Sequence, residues 1–375
     1  MIVALIDDGL SANIYNFFSK AKIKSYHIDK NNNFLELKRI LSFKSTHADI
    51  CFRIIDYYIN QNYELIDIDI SNDYSENCNL NNLILALKWC TSKKIDLINL
   101  SVGTIYYKDF YIIDKYLKIL KEQGKVIVAS YSNDMILTLP AASDNVIGVR
   151  CSINNCNSGG EYYLESDLFG KTAVVSSELN NLFPKLRKYY LNNFNSYATA
   201  YVSFLIFKII ENGSSGMEDV LKKFEELSCN FKLKKDFKVY NKKNNIPLVG
   251  FNVSDNIFYD FVEKTRDYFY CENYRVFFIG DKNINNFKYD YINYNDLLKY
   301  LQQDSNFNLN YIIEFAQVDI LFIDMAVVKR EHILIDLIVS NSDENAYHDN
   351  LIKFDEASFC KHYQNILKSV IEYFS

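Results

Sequence analysis

Four polar residues sit where an alternating α/β chain could do chemistry. Asp7 closes the apolar run "IVALID". His47 opens the amphipathic stretch after Thr46 in "THADICFRIIDYYIN". Asn133 follows "KVIVAS" within "SYSND", and Ser196 heads "SYATAYVSFLIFKIIEN", which carries no charge before Lys208. A serine hydroxyl is a weak nucleophile at neutral pH and needs a base within hydrogen-bond reach. A histidine can be that base, a carboxylate can orient it, and an amide can donate to a developing negative charge. Taken singly, each residue has a plainer role. Serine is a common helix N-cap, Asp7 precedes the turn pair Asp8-Gly9, Asn133 suits a turn, and most histidines are structural. The chain has five histidines; His27, His332, His348 and His362 lack any comparable setting.

The elements that must hold these residues follow from hydrophobic periodicity. Strands are expected over 2–7, 63–71, 95–103, 125–130 and 145–151. Helices are expected over 46–60, 80–94 and 109–124, the first with Thr46 as N-cap and Asp49 in its first turn, the third closed by Gly124. Such alternation predicts a mainly parallel sheet with helices on both faces. Residues 152–192 read as loops and short strands. The stretch 196–212 is apolar on every side and predicts a helix buried in the core, followed by an amphipathic surface helix over 217–228. The Lys- and Asn-rich residues 229–254 read as a connector. After them a second αβ pattern covers 255–375, with strands over 274–281, 318–326 and 332–340, helices over 295–303 and 309–317, and a long terminal helix over about 354–374.

Composition narrows the function classes. The chain has 375 residues, 49% of them hydrophobic and 23% charged, enough for one large domain or two ordinary ones. With a net charge of −6 and no basic block, nucleic-acid binding has no electrostatic support. No apolar run reaches membrane-spanning length, and the N-terminus "MIVALIDDGL" lacks the basic start and cleavage site of a signal peptide. None of Cys51, Cys78, Cys90, Cys151, Cys156, Cys229, Cys271 and Cys360 forms a C-x-x-C pair. They predict reduced thiols in a cytoplasmic protein, with no metal site and no cofactor.

Six short stretches, in this order, resemble the motifs of subtilisin-like serine peptidases, a family whose catalytic residues run Asp, His, Ser along the chain. "VALIDDG" resembles the aspartate strand V-A-V-I-D-[ST]-G, and its Asp-Asp-Gly-Leu ending is closer to the kexin-like branch. "THADICFRII" resembles H-G-T-x-V-A-G-x-I at the histidine helix. "KKIDLINLSVG" resembles the cleft strand D-V-I-N-M-S-L-G. "VIVASYSND" resembles V-V-V-A-A-G-N, "LPAASDNVIGV" resembles Y-P-A-x-x-x-x-V-I-A-V, and "NSYATAYV" resembles T-S-M-A-x-P-x-V at the nucleophile. The departures sit beside these positions: Ala48-Asp49 and Phe194-Asn195 replace two Gly-Thr pairs, Ala200 replaces the proline, and Ser132 replaces the glycine before the asparagine.

The resemblance implies a three-layer α/β/α peptidase domain over 1–228 and a function, peptide-bond hydrolysis through an acyl-enzyme. It implies Ser196 as nucleophile, His47 as base, Asp7 as its orienting carboxylate and Asn133 as oxyanion donor, with Ser101, Val102 and Gly103 pairing with an extended substrate. The expected partner is a peptide or protein substrate; neither nucleic acid nor a membrane is expected, and a homo-oligomer is compatible with the sequence. With neither signal peptide nor pro-domain expected, a narrow processing role suggests itself, such as trimming leaders from bacterial peptide natural products. The alternative is an impaired pseudoprotease that binds a peptide or a partner without cutting. The second domain is expected to serve specificity or docking.

Overall fold

Val3, Ala4, Leu5 and Ile6 are wholly buried, which a strand achieves only when both of its faces are covered. They belong to β1 (Ile2–Asp7), near the middle of a nine-stranded sheet. The computed structural model describes residues 1–16, 20–37, 45–71, 79–134, 136–152, 162–166, 169–175, 179–189, 194–228, 246–284, 288–303, 309–341 and 350–374. The chain divides into two compact units, Met1–Asp236 and Phe237–Ser375.

In the first unit the remaining strands are β2 (Ala21–Ile28), β3 (Phe34–Leu37), β4 (Tyr63–Asp69), β5 (Leu97–Leu100), β6 (Val126–Ser130), β7 (Ile147–Cys151), β8 (Tyr162–Ser166) and β9 (Lys171–Val175). Their order is β3-β2-β4-β1-β5-β6-β7-β9-β8, antiparallel at β2/β3 and β8/β9 and parallel elsewhere. The helices are α1 (His47–Asp56), α2 (Leu80–Cys90), α3 (Phe110–Glu122), α4 (Leu179–Leu182), α5 (Asn195–Glu211) and α6 (Met217–Glu226). Val3 and Leu5 join one core cluster with α1, α5 and α6. Ala4 and Ile6 must point the other way, since side chains alternate along a strand; α2 and α3 pack together, with α3 on β6. The result is a three-layer α/β/α unit with a mainly parallel sheet.

Two local devices aim the candidate residues. Thr46 caps α1 through a capping box: its hydroxyl accepts from the Asp49 N–H, and Asp49 reaches back to the Thr46 N–H. Gly9 follows the end of β1 at φ +78°, and a Cβ there would lie 2.8 Å from the Cβ of Asp69, so both the turn and the close approach require glycine. Helix α5 is buried on nearly all sides and packs on α1, β5, β6 and β7, as its uniform apolarity predicts.

Beneath this edge Asp67 is 1% exposed, and burial pushes its carboxyl up to about 8. The folded state therefore holds this proton more tightly than the unfolded chain, whose carboxyl titrates near 3.8. The resulting stability is fully present below that value and is lost as pH rises toward 8. Asp67→Asn should keep an acceptor for the Leu10 N–H, which donates to the carboxylate at 3.2 Å. The substitution is expected to stabilise the fold at pH 8–9 by a few kcal/mol, since each tenfold difference in proton affinity between the folded and unfolded chain is worth about 1.4 kcal/mol. Thermal melts at pH 6 and pH 9 check this; a melting point that falls with pH as steeply as in the parent would contradict it.

The second unit carries β10 (Leu248–Asn252), α7 (Phe258–Cys271), β11 (Val276–Gly280), β12 (Tyr291–Asn293), α8 (Tyr294–Gln303), α9 (Leu309–Phe315), β13 (Ile320–Asp324), α10 (Met325–Glu331), β14 (Leu337–Ser340), β15 (Leu351–Lys353) and α11 (Glu356–Phe374). Its sheet is parallel throughout, in the order β12-β11-β13-β10-β14-β15. Several expectations differ here: the strand expected over 332–340 covers only Leu337–Ser340, the one over 318–326 ends at Asp324, and helices α7 and α10 were not expected. Residues 248–252, which the sequence places in the connector 229–254, form the interior strand β10, between β13 and β14. Pro247 directly before this run and Gly250 within it, both disfavoured in strands, hide it; residues 229–245 lie outside the described residues.

The apolar stripe of α11 is covered within its own unit. The helix packs on α7 and β15, and Phe359 lies 5.4 Å from Phe261 and 5.1 Å from Phe354, ring centre to ring centre. The strand-end acids are occupied locally: Asp319 accepts from the Arg275 N–H at 2.7 Å, and Asp324 caps α10 through the Ala326 N–H. No helix among the described residues is long and apolar enough to cross a membrane.

Candidate active site

At the carboxyl edge of the first sheet, Asp7 ends β1 and His47 begins α1. The Asp7 carboxylate lies 2.8 Å from Nδ1 of His47, and Nε2 of His47 lies 2.9 Å from the Ser196 hydroxyl. Asp7 is 2% exposed, so its charge acts with little solvent screening. Asp8, one residue on, accepts from the backbone N–H groups of His47 and Ala48 at 3.0 and 2.8 Å. This carboxylate ties the end of β1 to the start of α1. Tyr197 stacks on the imidazole with ring centres 5.4 Å apart.

Ser196 is the second residue of α5, and its hydroxyl is turned toward His47. The helix is capped by the Phe194 backbone, whose carbonyl accepts from the N–H groups of Tyr197 and Ala198. The Asn195 N–H donates to the Asn133 side-chain oxygen at 3.0 Å. Because that partner is a donor, the amide oxygen of Asn133 is fixed toward the helix and its NH₂ faces the exposed side. Two donors are left unspent at the head of α5: the Asn133 NH₂, whose amide bonds Asn195 through its oxygen, and the Ser196 N–H, which has no partner among the described residues. The positive end of the α5 dipole adds to them.

Ser101, Val102 and Gly103 run on from β5, and Gly103 is exposed. The Ser101 hydroxyl donates to Asn99 at 3.0 Å and lies 3.5 Å from the Cys51 sulfur, while Asn99 donates to Ser203 on α5 at 2.8 Å. A polar chain therefore links α5, β5 and α1 behind the imidazole.

No protein-family model matches this sequence, and no curated protein matches it. Solved structures do. The prenylagaramide maturation protease PagA is 16% identical, with 59% of this chain and 79% of that chain covered and a TM-score of 0.37. A lanthipeptide protease is 12% identical, with 61% and 76% covered and a TM-score of 0.39. A Pseudomonas sedolisin, a serine-carboxyl proteinase, is 13% identical, with 59% and 78% covered and a TM-score of 0.41. The chain is similar to subtilisin-like proteases. Where it departs from the subtilisin-like motifs, the replacements are built into the site. Asn195 is 4% exposed; its NH₂ donates to the carbonyls of Ser132 and Tyr131 at 2.9 and 3.3 Å, and its oxygen accepts from the Cys151 N–H at 2.7 Å. Asn195 thereby braces the start of α5 against the segment carrying Asn133. Asp49, which replaces a threonine, is wholly buried and accepts from both the N–H and the hydroxyl of Ser11.

Sequence reasoning did not single out Asp8, Cys51, Asn195 or Tyr197. The doubled Asp at the end of β1 and the i, i+4 spacing of His47 and Cys51 were the available signals. Asp7, His47 and Cys51 present ligand atoms within 4.8 Å of one another, a set that could hold a thiophilic cation. A metal there would occupy the imidazole that faces Ser196.

Two neighbouring charges would raise the proton affinity of His47: a Cys51 thiolate most strongly, then the Asp7 carboxylate, with burial opposing them. Burial, however, pushes the Cys51 thiol up and keeps it neutral. Asp7 is then the charge that acts near neutrality, and it raises the proton affinity of His47 against the opposing effect of burial. Only neutral imidazole can accept a proton, so the rate should climb about tenfold per pH unit along the acid limb set by His47. Protonation of Asp8, which burial and the Asp7 charge push up to about 6, acts in the same direction by weakening the hold on the His47 backbone. Labelling rates with a fluorophosphonate from pH 5 to 10 check this, and a profile flat from pH 5 to 8 contradicts it.

Proposed function

We propose that this chain is a serine endopeptidase working through Asp7, His47 and Ser196. The observation that carries the reading is the continuous hydrogen-bonded path from the buried Asp7 carboxylate through both imidazole nitrogens to the Ser196 hydroxyl. In this mechanism His47 takes the Ser196 proton as Oγ attacks the scissile carbonyl. The Asn133 NH₂ and the Ser196 N–H stabilise the oxyanion, and Asp7 stabilises the imidazolium. His47 then protonates the leaving amine. A water attacks the acyl-enzyme by the same route and frees the acid.

The finer reading is a processing protease of narrow specificity, such as a leader peptidase. Bulky side chains flank the nucleophile: Phe194, 41% exposed, packs edge-on to Tyr197, which in turn covers His47. An aromatic shelf of this kind restricts which peptides approach. An alkyl fluorophosphonate followed by peptide mapping tests the core of the proposal. A single adduct on Ser196 is expected; an unlabelled Ser196 in folded protein would favour the peptide-binding pseudoprotease.

A further inference from the structure

The space between the segments that leave β5 and β6 is occupied by the chain itself. Two segments flank it: Ser101–Thr104 running on from β5, and Tyr131–Asn133 running on from β6. A returning segment forms the floor between them. The floor is bonded to the first wall by a reciprocal pair, Thr104 N–H to the Leu139 carbonyl at 2.7 Å and Leu139 N–H to the Thr104 carbonyl at 3.0 Å. It is bonded to the second wall by the Ser132 N–H, which donates to the Thr138 hydroxyl at 3.2 Å. That hydroxyl in turn donates to the Ile136 carbonyl at 2.7 Å. With both roles of the hydroxyl used, the rotamer of Thr138 is fixed, and its methyl is aimed at the opposite wall. A Cβ on Gly103 would come within 2.8 Å of that methyl and 2.6 Å of the Leu139 carbonyl oxygen. Thr138 itself is 3% exposed. Wall, floor and wall are thus in van der Waals contact.

We propose that Thr138 closes this trough and restricts the enzyme to substrates with a small residue, glycine, alanine or serine, on the acyl side of the scissile bond. The inference rests on the peptidase reading of Ser196. An acyl carbon placed at the Ser196 hydroxyl, with its oxygen toward Asn133, and a chain running along Ser101–Gly103 directs the side chain of that residue between the two walls. Each methylene that a closed pocket cannot accept lowers kcat/KM by about tenfold or more. A leucine or phenylalanine would have to displace Thr138 together with both of its hydrogen bonds.

The test uses peptidyl diphenyl phosphonates that differ only in the residue at phosphorus, analogues of glycine, alanine, leucine and phenylalanine, with Ser196 labelling followed by mass spectrometry on the full chain. The glycine and alanine probes are expected to label at least about tenfold faster than the phenylalanine probe. Thr138→Ala should raise the leucine and phenylalanine rates relative to alanine by about tenfold. Thr138→Ser keeps both hydrogen bonds and removes only the methyl that faces Gly103. It should shift the preference in the same direction, and it decides the matter if Thr138→Ala does not fold. Equal or faster labelling by the phenylalanine probe in the parent, or an unchanged preference in folded Thr138→Ser and Thr138→Ala, overturns the role of Thr138 and leaves the peptidase reading standing. Failure of every probe, the alkyl fluorophosphonate included, to label Ser196 overturns both.

Discussion

Ser196→Ala is expected to abolish peptide cleavage, by about 10⁶-fold in kcat, the size of loss that follows removal of the nucleophile from a subtilisin. The residual rate would come from the oxyanion donors and from binding alone, which the substitution leaves in place. Stability should barely move. Among the described residues the hydroxyl makes one hydrogen bond, to His47, at a half-buried position, and such a bond contributes about 1 kcal/mol. Alanine is also the better helix former at the second residue of α5. A melting temperature within a few degrees of the parent, together with loss of cleavage, is therefore the expected pair of results. Retained turnover of a natural peptide by the variant would remove Ser196 from the mechanism, because no other hydroxyl is within hydrogen-bond distance of Nε2 of His47 among the described residues. Retained binding of that peptide is equally part of the expectation, since the groups flanking the cleft are untouched.

The central sheet was legible in the sequence wherever strands are covered on both faces. "IVALID" and "VIVAS" are continuous apolar runs, and they became β1 and β6 within a residue at each end. Helix α1 was legible for a different reason: Thr46 and Asp49 carry the capping box in their spacing. The hairpin β2/β3 was not foreseen. Its strands read "AKIKSYHI" and "FLEL", half-exposed with charges interleaved, so neither shows an uninterrupted apolar run. Interior strand β10 was missed because Pro247 before it and Gly250 within it interrupt the run with residues disfavoured in strands. At the site, the order of Asp7, His47, Asn133 and Ser196 could be read from the chain, but the bracing around them could not. Asn195 looked like the loss of a Gly-Thr pair. Its actual role needs the carbonyls of Tyr131 and Ser132, more than sixty residues away, to lie within reach of its amide. Cys51 was one thiol among eight until α1 placed it one turn behind His47.

Asn133→Ala is expected to lower kcat by about 10²–10³, or about 2.7–4 kcal/mol, with KM nearly unchanged; this is the loss found when a subtilisin loses its oxyanion asparagine. The effect falls on kcat because the donor meets full negative charge only in the transition state, whereas the ground-state carbonyl gains little from it. A structural explanation competes with this one, since Asn133 also accepts from the Asn195 N–H at the head of α5. Asn133→Asp separates the two. An aspartate keeps an oxygen for the Asn195 N–H, and a negative charge at a helix N-terminus is stabilising. If anchoring the helix were the whole role, Asn133→Asp would be active. An oxyanion role predicts the reverse, because the NH₂ donor is replaced by a second acceptor bearing negative charge beside the developing oxyanion. Asn133→Asp should therefore be at least as impaired in kcat as Asn133→Ala while melting at or above the parent temperature. An active Asn133→Asp, or an Asn133→Ala whose defect lies in KM alone, would reassign Asn133 to holding the helix.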